Sequence, residues 1–287
     1  MREYASPAAF RAAVEAKLRS RAHQLAVPAY ILRRQAGLES LTVRLTAVAG
    51  GRWALKGGFA LETRLQGRAR ASVDLDADHL QGAEAARADL QRAAIAEVGD
   101  HFGFAVVAAE EIRGEGVELA VSYKLESSVA GRLFEPLQVD VSVSAPDPWD
   151  AQPVRRQGLL TDLGFGPIDL WLIPLERQVA EKLHAYTRLY KGGGTTRTRD
   201  IVDLLLIREH TRLPPVVLRE AIQRVFERRA THGIPDRLPL PPRDLAVAYR
   251  REAEQVKVVS RVEDAHRLLA AWLDPILASA KKTVRPG

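Results

Sequence analysis

Two short segments of the sequence decide the fold: LKGGFAL at residues 55–61 and SVDLDADH at residues 72–79. The first changes from an apolar run to two glycines followed by helix-favouring residues, which predicts a tight strand-to-helix turn. In the second, apolar residues alternate with Asp74, Asp76 and Asp78, and a period of two residues is typical of a β-strand. The two segments therefore predict a strand with an acidic side and, before it, a glycine turn that opens a helix.

The rest of the N-terminal half mixes helices and strands. Apolar spacing predicts helices at residues 6–25, 28–49 (broken at Gly37), 59–65 and 82–99. Three β-like runs, at 104–112, 117–125 and 133–143, are separated by glycines at 114, 116 and 131, which predicts an antiparallel meander. Residues 145–170 contain four prolines and predict a long ordered loop.

From residue 174 onward the chain is predicted to be mostly helical. The expected helices cover residues 174–191, 198–209, 215–230, 243–256 and 261–281, with a flexible GGGTT connector at 192–196 and a proline break at 239–242. We therefore expect an α/β (α+β) protein with two lobes. Residues 1–165 would form a mixed sheet with flanking helices, and residues 166–287 would form a helical lobe.

Composition narrows the classes of protein. The 287 residues carry a formal charge of +6, and 34 of the 42 basic residues are arginine. Because arginine makes planar bidentate contacts with phosphate, this balance favours a phosphate-bearing partner, although a GC-rich genome gives the same bias. The absence of cysteine excludes disulfides, zinc–thiolate sites, iron–sulfur clusters and a cysteine nucleophile. No apolar run reaches the length of a membrane span, so we expect a cytoplasmic protein.

Three carboxylates are candidate metal ligands. Asp74 and Asp76 share one face of the predicted strand, and Asp140 lies in another apolar strand, projecting opposite to its valine neighbours. On adjacent strands these carboxylates could hold a pair of Mg²⁺ (or Mn²⁺) ions, with a nucleoside triphosphate completing the coordination shell. Gly57 and Gly58 at a helix start would let backbone N–H groups approach the phosphates.

Each feature also has an ordinary structural explanation. The acidic side of the strand could be the solvated face of an edge strand, and the two glycines could be a tight turn and nothing more. Asp140 is harder to explain in this way, because a half-buried carboxylate needs a partner. Three acidic residues on one face also repel one another unless a cation binds there. The combination therefore favours a metal–nucleotide site.

A second group of candidates lies in the helical half. Lys182 lies beside the apolar stripe of its helix, so its ammonium could reach inward and neutralise triphosphate charge. Asp200 and Asp203 share a face of the next helix, where they could also be compensating the helix dipole. Arg197 and Arg199, beside the glycine connector, would contact phosphate or form a solvated basic loop.

These motifs together resemble a known family. The ordered set KGGFALE (56–62), RASVDLD (70–76), QVD (138–140), EKLHA (181–185) and RDIVDL (199–204) is similar to the AbiEii/AbiGii toxin family, which includes the MenT-like toxins. The resemblance covers residues 55–207. It implies a nucleotidyltransferase-like N-terminal lobe, a helical C-terminal lobe, and the toxin half of a toxin–antitoxin pair with a cognate antitoxin protein.

The resemblance also implies roles for individual residues. Asp74 and Asp76 match the paired acidic residues of the metal motif, Lys182 matches the essential lysine, and Asp200 matches the acidic residue of the last motif. Ser72 matches the hydroxyl position before the metal ligands. Asp140 matches a position that varies among members. The chain departs from the family at Phe59, where Ser or Thr is common.

The resemblance implies transfer of a nucleotide from a nucleoside triphosphate, with CTP favoured, to the 3′ end of tRNA, which would block aminoacylation and translation. In this interpretation Gly57, Gly58, Ser72 and Lys182 bind the triphosphate, Asp200 orients Lys182 through an ion pair, and Arg197 and Arg199 contact RNA. Two alternatives remain at this stage. One is a nucleotidyltransferase that modifies a protein or a small molecule, and the other is a non-catalytic NTP-binding module.

Overall fold

The computed structural model describes residues 4–112, 120–142, 150–188 and 197–283. The chain divides into two compact units: Met1–Thr63 with Ala71–Ile173, and Arg64–Arg70 with Pro174–Gly287. The predicted turn glycines at 114 and 116, the connector at 192–196 and parts of the 145–170 segment lie outside the described residues. No helix in the described ranges is both long enough and apolar enough to cross a bilayer.

The first unit is a mixed α/β structure, which confirms the predicted fold class. Its elements are α1 (Pro7–Leu25), α2 (Ala29–Ala49), β1 (Trp53–Lys56), α3 (Gly57–Leu65), β2 (Leu75–His79), α4 (Gly82–Ile95), β3 (Phe102–Ile112), β4 (Ala120–Val129), β5 (Arg132–Ser142), β6 (Gln152–Arg156) and β7 (Ile168–Leu172). Helix α3 begins at the two glycines that follow β1.

The seven strands described in this unit form one sheet in the order β3-β4-β5-β2-β1-β7-β6. The pairs β2–β5 and β1–β7 are parallel, and the other neighbours are antiparallel. The predicted meander of three strands is confirmed as β3-β4-β5, and Ala130 and Gly131, both with positive φ, make the tight turn between β4 and β5. The parallel pairing of β2 with β5 brings together two segments that are distant in sequence.

Apolar side chains from one side of the sheet pack against α2 and α4. Leu75 and Ala77 of β2 and Val139 and Val141 of β5 are fully buried in this core, together with leucines of both helices. The acidic residues that alternate with them therefore project from the opposite side of the strands. At roughly 25 cal/mol per Å² of buried apolar surface, this core is a major stabilising contribution to the unit.

The structure differs from two predictions about individual elements, a break in the second helix at Gly37 and the start of the acidic strand at residue 72. Helix α2 runs unbroken through Gly37. The glycine has a packing role: a Cβ at this position would lie 3.3 Å from both methyl carbons of Leu137, so the missing side chain lets the helix pack closely on β5. Strand β2 begins at Leu75 and not at residue 72, so Asp74 lies just before the strand.

The prediction of a long loop at residues 145–170 is wrong. Strand β6 and the first residues of β7 fall within that segment, and β7 pairs in parallel with β1. Pro153 is tolerated because β6 is an edge strand, where a missing N–H donor costs no ladder hydrogen bond on the open side. The first unit accordingly ends at Ile173, whereas the sequence placed the boundary at 165/166.

The second unit is helical, as predicted. It contains α5 (Leu175–Thr187), α6 (Thr198–His210), α7 (Pro215–Arg229), α8 (Leu245–Val256) and α9 (Val262–Thr283). These bounds lie within about four residues of the predicted ones, because amphipathic spacing and the prolines at 214, 215, 241 and 242 mark the ends of the helices clearly.

Candidate active site

Two acidic side chains of the first unit lie next to each other on parallel strands. Asp76 of β2 and Asp140 of β5 are direct register partners, so their side chains project from the same side of the sheet. This is the convergence that the sequence predicted for these two residues. Both carboxylates are partly exposed to solvent. Gln138, two residues before Asp140, donates from Nε2 to both carboxylate oxygens of Asp140 at 3.1 Å and holds that carboxylate in place.

The glycine turn packs directly against Asp76. Gly57 is the first residue of α3 and has a positive φ of 63°, and a Cβ there would lie 2.8 Å from Cγ of Asp76 and closer still to Oδ2. The absence of a side chain therefore brings the backbone at the N-terminus of α3 against the Asp76 carboxylate. Gly58, the second residue of the helix, is buried. Backbone N–H groups at a helix start are in general suited to binding an anion.

Asp78 differs from the other acidic residues of its strand. Its side chain is buried and accepts a hydrogen bond from Lys56 Nζ at 2.6 Å, and Lys56 also donates to Ser142 Oγ at 2.6 Å. Because the charge of Asp78 is already paired with an ammonium, this residue is not a candidate metal ligand. The signal that sequence reasoning missed is the position of Lys56 at the end of β1, next to the strand that carries Asp78.

The predicted set of three metal ligands is only partly assembled. Among the residues that the structure describes, no group of three or more acidic, His or Cys side chains could by itself hold a metal ion. Asp76 and Asp140 are aligned by the strand ladder, whereas Asp74 lies just before β2 and outside that ladder. Two carboxylates beside a glycine turn nevertheless fit Mg²⁺, which in nucleotide enzymes is held by one or two carboxylates together with water and substrate phosphates.

Ser72 has a local role in the structure. It is buried, its backbone N–H donates to Glu62 Oε2 at 3.2 Å, and its hydroxyl donates to the carbonyl of Asp74 at 3.1 Å. A phosphate oxygen can only accept, so the hydroxyl would have to give up its bond to Asp74 in order to donate to a triphosphate. Phe59 is buried in the core, so the departure from the family at this position changes packing beneath the turn.

The packing of Gly57 on Asp76 leads to a testable prediction. We expect Gly57→Ala to lower both stability, by about 1–3 kcal/mol, and any activity that depends on Asp76, because the new methyl group displaces that carboxylate. Gly131→Ala is the matched control, since Gly131 also has positive φ but no atom lies within 4 Å of its Cβ position. Thermal unfolding and nucleotide-transfer rates of both variants measure the difference, and equal effects would show that strain alone, without the clash, is responsible.

In the second unit, Lys182 is held between two aspartates. Its Nζ donates to Asp200 Oδ1 at 2.9 Å and to Asp203 Oδ2 at 2.7 Å, so the predicted ion pair with Asp200 is present. Arg70 donates to both oxygens of Asp203 at 3.1 and 3.3 Å. The side chain of Asp203 is completely buried and that of Lys182 is 9% exposed, so Lys182 is not an ordinary surface lysine.

The charges in this cluster stabilise one another. Burial alone would lower the pKa of Lys182, but Asp203 and Asp200 raise it above its ordinary value. Burial would likewise raise the pKa of Asp203, but Lys182 and Arg70 hold it below the usual range. Lys182 and Asp203 are therefore both charged at neutral pH. The sequence indicated Asp203 only as a neighbour of Asp200 on the helix face, and it indicated Arg70 only as the first residue of the RASVDLD motif, with no role assigned.

The two arginines that were predicted to contact RNA lie at the start of α6. Arg197 approaches Asp200 at 3.9 Å, and Arg199 Nε lies 3.3 Å from Glu252 Oε1 on α8. Both side chains are substantially exposed, at 45% and 60%. Their exposure is compatible with either predicted role, a phosphate contact or a solvated basic loop.

Comparison with solved structures shows which known proteins share this fold. Among solved structures, MenT4, a nucleotidyltransferase toxin from Mycobacterium tuberculosis H37Rv, matches with a TM-score of 0.51 at 19% identity, covering 88% of this chain and 92% of that chain. A structure from H. pylori that is described as a nucleotidyltransferase matches with a TM-score of 0.47 at 16% identity, covering 89% and 98%. No curated protein sequence matches. The MenT4 match shows a shared nucleotidyltransferase-toxin fold.

The family follows from the sequence itself. The family model described as "Nucleotidyl transferase AbiEii toxin, Type IV TA system" matches residues 41–271, which is most of the chain. The protein therefore belongs to the AbiEii family of nucleotidyltransferase toxins, as the motifs indicated. Membership implies a nucleoside triphosphate substrate and an antitoxin partner.

Proposed function

We propose that this protein transfers a nucleoside monophosphate from a nucleoside triphosphate, with CTP favoured, to the 3′ end of tRNA in a reaction that depends on a divalent metal. The observation that carries the proposal is the register pairing of Asp76 with Asp140 beside the glycine turn, in a chain of the AbiEii family. The transfer would block aminoacylation and stop translation, and a cognate antitoxin would prevent it.

In the proposed reaction the 3′-hydroxyl oxygen of the RNA attacks the α-phosphorus. A new P–O bond forms, the bond between the α-phosphorus and the bridging oxygen breaks, and pyrophosphate leaves. Asp74 and Asp76 would hold Mg²⁺ or Mn²⁺, and Asp140 would assist as a further ligand or as the base that takes the hydroxyl proton. When bound, such an ion lowers the pKa of the attacking hydroxyl and neutralises developing charge.

Other residues of the chain would bind the triphosphate. The backbone at Gly57 and Gly58 is suited to this role, because N–H groups at a helix start attract phosphate. Ser72 would contribute its hydroxyl by exchanging the bond to the carbonyl of Asp74 for one to a phosphate oxygen. We propose that Lys182 also neutralises triphosphate charge, with Asp200 and Asp203 fixing its ammonium. Arg197 and Arg199 would contact the RNA backbone, so RNA binding should weaken steeply as salt is added.

A labelling experiment tests the proposal. Purified protein is incubated with Mg²⁺, total tRNA and each of the four α-labelled nucleoside triphosphates, and the products are separated on a denaturing gel. We expect label on tRNA, most strongly from CTP, and no label on tRNA whose 3′-terminal diol has been oxidised with periodate. Sequencing of RNA 3′ ends then gives the number of nucleotides added.

The outcomes distinguish the alternatives. Label on a protein or on a small molecule from the same extract, with tRNA unlabelled, would support the second type of transferase. Binding of a triphosphate in calorimetry without any labelled product would contradict catalysis and support a binding module. Equal labelling by all four triphosphates would contradict the CTP preference but still support a nucleotidyltransferase activity.

A further inference from the structure

The segment that leads into the metal motif is held by one carboxylate. Residues 71–74 have no regular secondary structure, and they end in Asp74 directly before β2. Glu62 of α3 accepts the backbone N–H of Ser72 at Oε2, 3.2 Å away, and the hydroxyl of Ser72 donates to the carbonyl of Asp74. Two consecutive hydrogen bonds therefore connect Glu62 to the backbone of Asp74.

Glu62 is itself fixed by the neighbouring helix. Gln35 of α2 donates from Nε2 to both oxygens of Glu62, at 2.7 Å each. Among the described residues, the groups that donate to this carboxylate are thus two neutral amides, Ser72 N–H and the Gln35 side chain. A half-buried carboxylate that is hydrogen-bonded only by neutral donors is costly to keep ionised.

Other charged groups near Glu62 have their own partners. Glu39, one turn after Gln35 on α2, accepts hydrogen bonds from Arg156 and, at 2.7 Å, from the backbone N–H of Leu159. Arg156 also lies over the ring of Phe59, 5.8 Å from its centroid. The positive charge of Arg156 lowers the pKa of Glu62, and the negative charge of Glu39 raises it. Glu62 therefore joins α2, through Gln35, to the backbone of Ser72.

We propose that Glu62 is a positioning residue for nucleotidyl transfer: its carboxylate fixes the backbone of Ser72 and thereby sets the position of Asp74. This inference rests on the proposed function, because it assigns Glu62 to the same site. Glu62 touches neither the substrate nor the metal in this account and acts through the Ser72–Asp74 segment. It also explains why Ser72 is buried with its hydroxyl bonded to the chain.

The environment of Glu62 gives the proposal a pH signature. Burial raises the pKa of Glu62 to about 7, against the Ser72 hydrogen bond and the field of Arg156, which lower it, and Glu39 raises it further. The ionised carboxylate accepts a stronger hydrogen bond from Ser72 than the neutral acid does. Transfer should therefore decline as the pH falls through about 7. Glu62→Gln, which cannot ionise, should lack this limb of the profile.

The test combines kinetics with hydrogen exchange on the full-length protein. We expect Glu62→Ala to lower kcat for nucleotide transfer by about 10- to 100-fold, as is typical when a supporting hydrogen bond is lost. Exchange of the peptide that contains Ser72 should become about 10-fold faster or more. Glu62→Gln, whose amide oxygen still accepts a weaker hydrogen bond from Ser72, should restore only part of both quantities, and its transfer rate should not fall as the pH passes through about 7. Glu97→Ala, at an exposed site, is the matched control.

Each result decides the question. If Glu62→Ala transfers nucleotides at the wild-type rate, or if exchange at Ser72 is unchanged, the positioning role is wrong. If Glu62→Gln fails to restore the rate and the wild-type pH limb persists in it, Glu62 has only a structural role and the proposal also fails. If the wild-type protein labels no substrate at all, the proposed function fails, while the exchange measurement still decides whether Glu62 holds the segment.

Discussion

Asp76→Asn is expected to abolish nucleotidyl transfer and leave the protein folded. The substitution keeps the shape of the side chain but removes the negative charge that a divalent cation needs at this site. Charge stabilisation of this kind contributes several kcal/mol to a transition state, so the rate should fall about 10³-fold or more. Transfer assays with labelled CTP and tRNA measure the loss.

The fold should tolerate this change because Asp76 and Asp140 are adjacent on parallel strands. Asparagine keeps the size and shape of the aspartate side chain, and like charges on neighbouring strands repel each other, so we expect the melting temperature to change little. Asp169→Asn on β7, an exposed aspartate with a side chain 59% accessible, is the matched control and should keep full activity. A folded Asp76→Asn protein that transfers nucleotides normally would exclude Asp76 as a metal ligand.

Lys182→Met is expected to be strongly destabilising. It removes the ammonium that lies between Asp200 and Asp203 and leaves Asp203, which is completely buried, with Arg70 as its remaining cation. Breaking a buried pair by removing one partner costs about 3–5 kcal/mol. Denaturant unfolding measures this loss, and Lys281→Met, which removes an exposed lysine from a surface pair with Asp236, should cost less than about 1 kcal/mol.

The same substitution should make the protein sensitive to acid. The pKa of Asp203 is lowered in the folded wild-type protein, so its contribution to stability is present above its unfolded pKa near 4 and is lost as the pH falls through the lower folded value. Without Lys182 the folded pKa of Asp203 rises, and stability is lost at a higher pH. A variant as stable as the wild type at every pH would contradict the role of this cluster, and an active one would remove Lys182 from the mechanism.

The sheet was predictable where local patterns and long-range pairing agree. Alternation in β2 and the apolar surroundings of Asp140 correctly indicated that Asp76 and Asp140 would converge. Strands β6 and β7 were missed because they are short and proline-flanked, and they become strands only through their pairing with each other and with β1. Such pairing is a tertiary effect that overrides local propensity.

The candidate site was predictable to a similar degree. The ion pair of Lys182 with Asp200 followed from motif order. Arg70 and Glu62 lie within the quoted motifs, but their partners could not be found from the sequence, because Arg70 pairs with Asp203 on a distant helix and Glu62 is bonded by Gln35 and Ser72 from other elements. Asp74 was assigned to the strand because its alternation continues that of Asp76. Its actual position before β2 depends on hydrogen bonds of Ser72, which no periodicity reveals.

The parallel ladder between β2 and β5 also has a consequence for synthesis of the protein on the ribosome. Asp76 and Asp140 are 64 positions apart in the chain, and the intervening α4, β3 and β4 must be made before the two carboxylates can meet. Contacts of such separation form late and slowly during folding. A nascent chain that ends before Asp140 lacks one of the paired carboxylates, so under the proposed function the protein would be inactive until this second strand has been made and paired.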